Sequence, residues 1–176
     1  MSDPRWTDVD ADIDHAILQI GNAVRAFDRG GFDSPDLDAV WERSNAFLHG
    51  METGYSLLEA ALEKILSILK EKSPVEGQHS HRDLVERVSR QMTGVNARPA
   101  IIDADLKKDL LELLRMRHRA RKVIYDDFDA SKAGPSVEAA RRVLIGLRDA
   151  IAAFKAAVDP EPGEDDENSA SSRPRI

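Results

Sequence analysis

Met51, Tyr55, Leu58, Leu62, Ile65 and Leu69 fall at alternating steps of four and three along one stretch of the chain. An α-helix of 3.6 residues per turn brings residues so spaced onto a single face, and an extended strand would scatter them over two. The helix that carries this seam is expected to start near Asp36 and to run for about 35 residues, roughly 50 Å at 1.5 Å per residue. A long helix with one apolar seam must bury it against neighbours, and steps of four and three are those of antiparallel bundle packing. A helix of this length also often reaches into a dimer contact.

The same period recurs on either side. Val9, Ile13, Ile17, Ile20, Val24 and Phe27 form one stripe of a first helix expected over about Thr7 to Arg29. Thr7 and Asp10 resemble a capping box at its start, and Gly30-Gly31 stop it. Lys72 to Gly77, with Pro74, break the pattern; Ser80 and Asp83 suggest the N-cap of a short helix carrying Leu84, Val85 and Val88. Gly94 to Pro99 read as a loop. Asp103 is expected to cap a further helix that ends before Ser131 to Gly134. Pro135 suits a first helical position, after which Val137, Ala140, Leu144, Leu147, Ile151, Phe154 and Val158 again step by three and four. The expected fold is all-α, an antiparallel bundle of four to five helices over residues 1–158.

With 176 residues the chain has the length of one domain. No apolar run approaches the roughly 18 residues needed to cross a bilayer, and Met1 to Trp6 lack a signal-peptide core. With no cysteine, disulfides and thiolate metal sites are excluded, which fits a cytoplasmic protein. Residues 159–176 hold six acidic and two basic side chains, so −4 of the net charge of −7 sits there. Their Pro, Gly, Ser, Asp and Glu content cannot bury enough apolar surface to order the segment, so a disordered acidic tail is expected. A generally basic nucleic-acid surface is ruled out, and any polyanion site must be local.

Such a site has one candidate, the run Arg115-Met116-Arg117-His118-Arg119-Ala120-Arg121-Lys122-Val123-Ile124-Tyr125. On a helical wheel Leu106, Leu110, Leu113, Ile124 and Phe128 lie within about 40° of Arg117, so Arg117 and Arg121 are expected to face the apolar side. Arg115, Arg119 and Lys122 are expected to face outward, as basic residues near a helix C-terminus commonly do. A guanidinium on a core-facing stripe is costly to desolvate unless it is paired or opens onto a cleft. Arg117 to hold a phosphate, His118 to move a proton and Tyr125 to hydrogen-bond would serve phosphodiester cleavage without a metal. The same combination is also common on surfaces.

Other histidines carry less. His79-Ser80-His81 is read as a surface or structural loop pair without an acidic or cysteine partner at ligand spacing, and Glu76-Gly77-Gln78-His79 lacks the helix a di-iron motif needs. No metal and no cofactor are expected. Glycine-rich phosphate loops and nucleophile elbows do not occur.

At the basic run the chain resembles the HepT-like proteins of the HEPN superfamily, bacterial helical-bundle toxins whose signature is Arg, four to six residues, His, then x-Tyr. Tyr55-Ser56-Leu57-Leu58-Glu59 looks like the family's Tyr-x-x-x-Glu segment, His81-Arg82-Asp83-Leu84 its His-Arg-Asp-Leu loop, and Arg98-Pro99-Ala100-Ile101-Ile102 its Arg-Pro-Ala-hydrophobic segment. These stand in family order over roughly residues 45 to 154. The resemblance implies a homodimer whose motif helices face each other across an RNA-cutting cleft. Arg117 and His118 then match the signature arginine and the histidine often found after it, and Glu59 is a supporting residue. Where the signature His should stand the chain has Lys122, and Tyr125 lies one residue later than the x-Tyr spacing predicts.

Two functions follow from the resemblance. One is a ribonuclease toxin with displaced chemistry, using Arg117, His118, Lys122 and Tyr125 for catalysis and Arg117 and Arg121 for RNA phosphates. The other is a non-catalytic dimeric module that binds RNA, a nucleotide or a protein. In some relatives a minimal nucleotidyltransferase antitoxin attaches AMP to the motif tyrosine, which makes Tyr125 the corresponding modification site.

Overall fold

Five α-helices follow one another in the computed structural model, which describes residues 4–74, 77, 80–122 and 128–160. They are α1 (Arg5–Asp28), α2 (Leu37–Ile68), α3 (Ser80–Val88), α4 (Ala104–Lys122) and α5 (Gly134–Val158). Among the described residues there is no strand, only an isolated antiparallel bridge between Met92 and Arg98 and a 3-10 turn at Ala130–Lys132. No described helix is long and apolar enough to cross a membrane.

The longest interface joins α1 to α2. Glycine makes it close: a Cβ on Gly54 would lie 2.6 Å from Ile20 Cγ1 and 3.2 Å from the Ala16 carbonyl oxygen, and one on Gly50 would lie 2.9 Å from Ala23 Cβ. Small residues thus bring the two backbones together, and the seam from Met51 to Leu66 fills the space beyond with fully buried Tyr55, Leu58, Leu62 and Ile65. The turn between the helices forms at Gly30 and Gly31, whose φ angles of 63° and 82° lie in the left-handed region. Asp36 then caps α2 by accepting from the backbone N–H groups of Asp38 and Ala39.

α4 packs on α5 and on α2, while α5 returns to α1 and closes the bundle. Its registry with α5 is set by polar ties. Arg142 donates from Nε and Nη2 to the buried Asp109 carboxylate at 2.7–3.1 Å, and Ser136 Oγ donates to Glu112 Oε1 at 2.8 Å. Asp103 caps α4 through a 2.8 Å bond from the Leu106 N–H, and Pro135 opens α5 as expected. α3 is short and sits at the end of the bundle against α2 and α4.

Several sequence expectations are corrected. Thr7 and Asp10 form no capping box: α1 begins at Arg5, after Pro4, with no side-chain cap. Trp6 explains the earlier start, because its ring is buried and its Nε1 donates to Asp159 Oδ2 at 3.0 Å, drawing the first turn into the bundle. α4 ends before Ser131 as expected, but Phe128, a helical residue on the wheel, lies beyond it. Its described part ends at Lys122, and Phe128 and Asp129 are non-helical, with Phe128 packed among the rings of Phe32 and Phe47. Val123 to Asp127, including Tyr125 and Ile124, lie outside the described residues, as do His79 and the expected disordered tail from residue 161.

Candidate functional site

Arg117 is the innermost cation of the basic run. Its side chain is 9% exposed, on the same face of α4 as Leu106, Leu110 and Leu113. The helical period places it there, and the partners that make the burial tolerable come from two other helices. Glu59 on α2 brings Oε2 to 3.8 Å from Arg117 Nη2, Ser56 Oγ lies 3.4 Å from Nε, and the Tyr55 ring centroid is 6.0 Å from Cζ. From the first turn of α3, His81 places Nε2 3.2 Å from Arg117 Nη1.

The proton positions follow from what each group can donate. A guanidinium has no acceptor, so His81 Nε2 must offer its lone pair to Arg117. The imidazole is then neutral with its proton on Nδ1, and Nδ1 donates to Glu59 Oε1 at 2.7 Å. Glu59, Arg117 and His81 form one connected polar chain. Burial pushes the Glu59 carboxyl above the usual carboxylate range, against the pull of Arg117 and His81. The Tyr55 hydroxyl is buried without a hydrogen-bond partner among the described residues, and its pKa is raised by burial and by the nearby Glu59.

His118 lies on the solvent side of this chain, exposed, with its ring centroid 6.1 Å from that of His81 and edge-on to it. Its pKa is lowered from the usual 6.5 by partial desolvation first, then by Arg117, His81, Lys122 and Arg121. The shift favours the neutral imidazole, the form able to accept a proton.

The rest of the basic run is arranged differently from the wheel. Arg121 does not share the apolar face with Arg117: its side chain is 56% exposed and pairs across 3.4 Å with Glu52 on α2. A 40° offset at the last turn of a helix is enough to carry a long side chain over the edge of the core and into water. Lys122 is exposed, as expected. Arg119, expected to face outward, is half-buried: Nη2 donates to Ser136 Oγ at 2.9 Å, so it braces α4 against α5.

His81 is the main correction. It is not a partnerless loop histidine; it stands on α3, and its acidic partner is Glu59, 22 positions earlier in the chain. The signal was present in the family-order pairing of the Tyr-x-x-x-Glu and His-Arg-Asp-Leu segments, but ligand-spacing rules look only at neighbours in sequence. The third segment has a structural role. Arg98 is buried and bridges Glu71, the Arg90 carbonyl and the Pro99 carbonyl, which locks α3 to the loops around it.

A separate groove of about 420 Å3 runs between α4 and α5, lined by Lys107, Lys108, Glu112, Arg115, Pro135 and Arg142 among others. None of its residues belongs to the Arg117 chain. Among the described residues no group of His, Asp or Glu is arranged to hold a metal ion.

The all-α bundle that sets Arg117 and His118 on α4 over Tyr55 and Glu59 of α2 is that of a helical protein of the HEPN superfamily, a placement that follows from its family. The chain belongs to the HepT-like protein family, whose model matches residues 46–158 and so takes in most of α2 and all of α3, α4 and α5. No curated protein and no solved structure matches the chain.

Proposed function

We propose that this HepT-like protein is the toxin-side member of a bacterial toxin–antitoxin pair, a homodimer that grips single-stranded RNA at the C-terminal end of α4 and cuts it slowly without a metal. Arg117 contacts the scissile phosphate, Arg121 and Lys122 supply charge at the rim, and His118 transfers a proton. One observation carries the reading: the exposed His118 follows directly on Arg117, whose guanidinium is held by partners from α2 and α3. Fixed donors beside a free base are what an RNA-cleaving site needs. With a net charge of −7 the whole molecule repels RNA, so binding depends on this local patch and weakens steeply with salt.

A second reading is favoured by Lys122, which stands at the signature His position and so leaves that place without an imidazole. In it the protein is a dimeric RNA-, nucleotide- or protein-binding module without cleavage, partnered by a minimal nucleotidyltransferase that modifies Tyr125 with AMP. Incubation of the purified protein with labelled single-stranded RNA in EDTA separates the two. The first reading expects slow cleavage that His118→Ala abolishes and Lys122→His increases. Binding without cleavage supports the second, and neither binding nor cleavage removes the first and strikes RNA from the second.

A further inference from the structure

We infer that His81 is a second proton-transfer residue of the cleft, oriented by Glu59 and working opposite His118. The inference deepens the ribonuclease reading and rests on it.

Three helices are needed to bring this group together: Glu59 comes from α2, His81 from α3, and Arg117 and His118 from α4. Glu59 is buried beneath the imidazole and holds Nδ1 at 2.7 Å, which fixes both ring orientation and tautomer and leaves the Nε2 lone pair pointing at the phosphate-binding arginine. A carboxylate on one imidazole nitrogen with the other aimed at the reacting centre is the arrangement of an oriented general base. A histidine serving only as core filling would be enclosed, yet the His81 side chain is 35% exposed, with water access beside His118.

At rest Nε2 is occupied by Arg117 Nη1. An RNA phosphate is a stronger acceptor than a neutral imidazole, so on binding it draws the guanidinium N–H to itself and frees Nε2. The 2′-hydroxyl next to that phosphate then gives its proton to His81 Nε2, and the resulting imidazolium is balanced by Glu59. A bond forms between the 2′-oxygen and phosphorus, the bond from phosphorus to the 5′-oxygen breaks, and that oxygen takes a proton from His118 in the minority of molecules in which water has protonated it beforehand, which keeps the cutting slow. The products are a 2′,3′-cyclic phosphate and a free 5′-hydroxyl. Each imidazole returns to its starting state by exchange with water. Two imidazoles 6.1 Å apart between ring centres can flank one phosphate, which a single imidazole could not serve from both sides.

The full chain is assayed on labelled single-stranded RNA in EDTA as wild type, His81→Gln and His81→Gly, with a 2′-deoxy substitution at the cut site as the control that must stay whole. His81→Gln keeps an oxygen able to accept from Arg117 but cannot carry the proton, so it should bind RNA within a few-fold of wild type and cut about 100-fold more slowly or worse. Added imidazole should restore part of the rate to His81→Gly and leave wild type unchanged. Thermal melts identify a variant that fails to fold, and His81→Gln then carries the test. Near-wild-type cutting by His81→Gln, or a folded, slow His81→Gly that imidazole does not rescue, overturns the inference while leaving the ribonuclease reading intact. A wild type that does not cut RNA overturns that reading, and the inference with it.

Discussion

Arg98 and Glu71 face each other with both side chains only 3% exposed, Arg98 donating from Nε and Nη2 to the two carboxylate oxygens. Arg87 at the end of α3 adds a 3.0 Å bond to the same carboxylate. The pair ties the segment after α2 to the far end of α3, and so holds His81, at the near end of α3, against Glu59 and Arg117.

Glu71→Gln should therefore destabilise the fold by about 3 kcal/mol, because it leaves a buried guanidinium without its counter-ion. Arg98 first, and Arg87 after it, hold the Glu71 carboxyl below the usual carboxylate range. A depressed folded-state pKa contributes stability above the unfolded value of about 4.3 and loses it as pH falls through the folded value. Denaturant titrations at several pH values should show wild type losing its advantage over Glu71→Gln below about pH 4.3. Equal stability of the two proteins at pH 7 would show that the pair is dispensable.

Gly54→Ala should cost about 1–3 kcal/mol, since the new methyl would meet Ile20 Cγ1 at 2.6 Å and α1 must move to admit it. Gly146 on α5 is the control. A methyl there meets only Leu106 Cδ2 at an ordinary 3.8 Å, so Gly146→Ala should stabilise by roughly 0.5–1 kcal/mol through its helix preference. Thermal melts of the two variants should move in opposite directions.

Shortening the chain after Pro160 should leave stability within about 1 kcal/mol, because the composition beyond it cannot form a core. Shortening after Val158 removes Asp159 and with it the bond to Trp6 Nε1, which should loosen the start of α1. The tryptophan emission spectrum and the melting temperature should both shift for the shorter protein and for Asp159→Ala. An unchanged spectrum in both would mean that Trp6 is held by its packing alone.

His118 should titrate below 6.5 in an NMR pH series, and Arg117→Gln should move it upward by removing the charge that, after desolvation, lowers it most. A folded pKa lowered in this way means that the unfolded chain takes up the proton first, so His118 favours unfolding slightly as the solution becomes acidic. A His118 that titrates above about 7 would remove the case for its being a ready base at neutral pH.

Much of this fold could be read from periodicity. The seam and start of α2, the cap Asp103, the opening Pro135 and the inward turn of Arg117 are all local patterns, set by residues within a few positions of one another. Arg121 departs from the apolar face because a helical wheel gives a direction at the helix axis and says nothing of how far a long side chain reaches past the edge of the core. The link from His81 to Glu59 is hidden for a different reason: the two stand on different helices, and contacts between helices leave no period in the sequence. The start of α1 likewise depends on Asp159, at the opposite end of the bundle.

The most direct measurement of the central claim is RNA binding and cleavage by the wild-type protein in EDTA across a salt series, beside Arg117→Ala and His118→Ala. The expected result is salt-dependent binding that Arg117→Ala weakens, with slow cleavage that His118→Ala abolishes while leaving binding largely intact. RNA cleavage that persists in His118→Ala, or an absence of RNA binding at low salt, would contradict it.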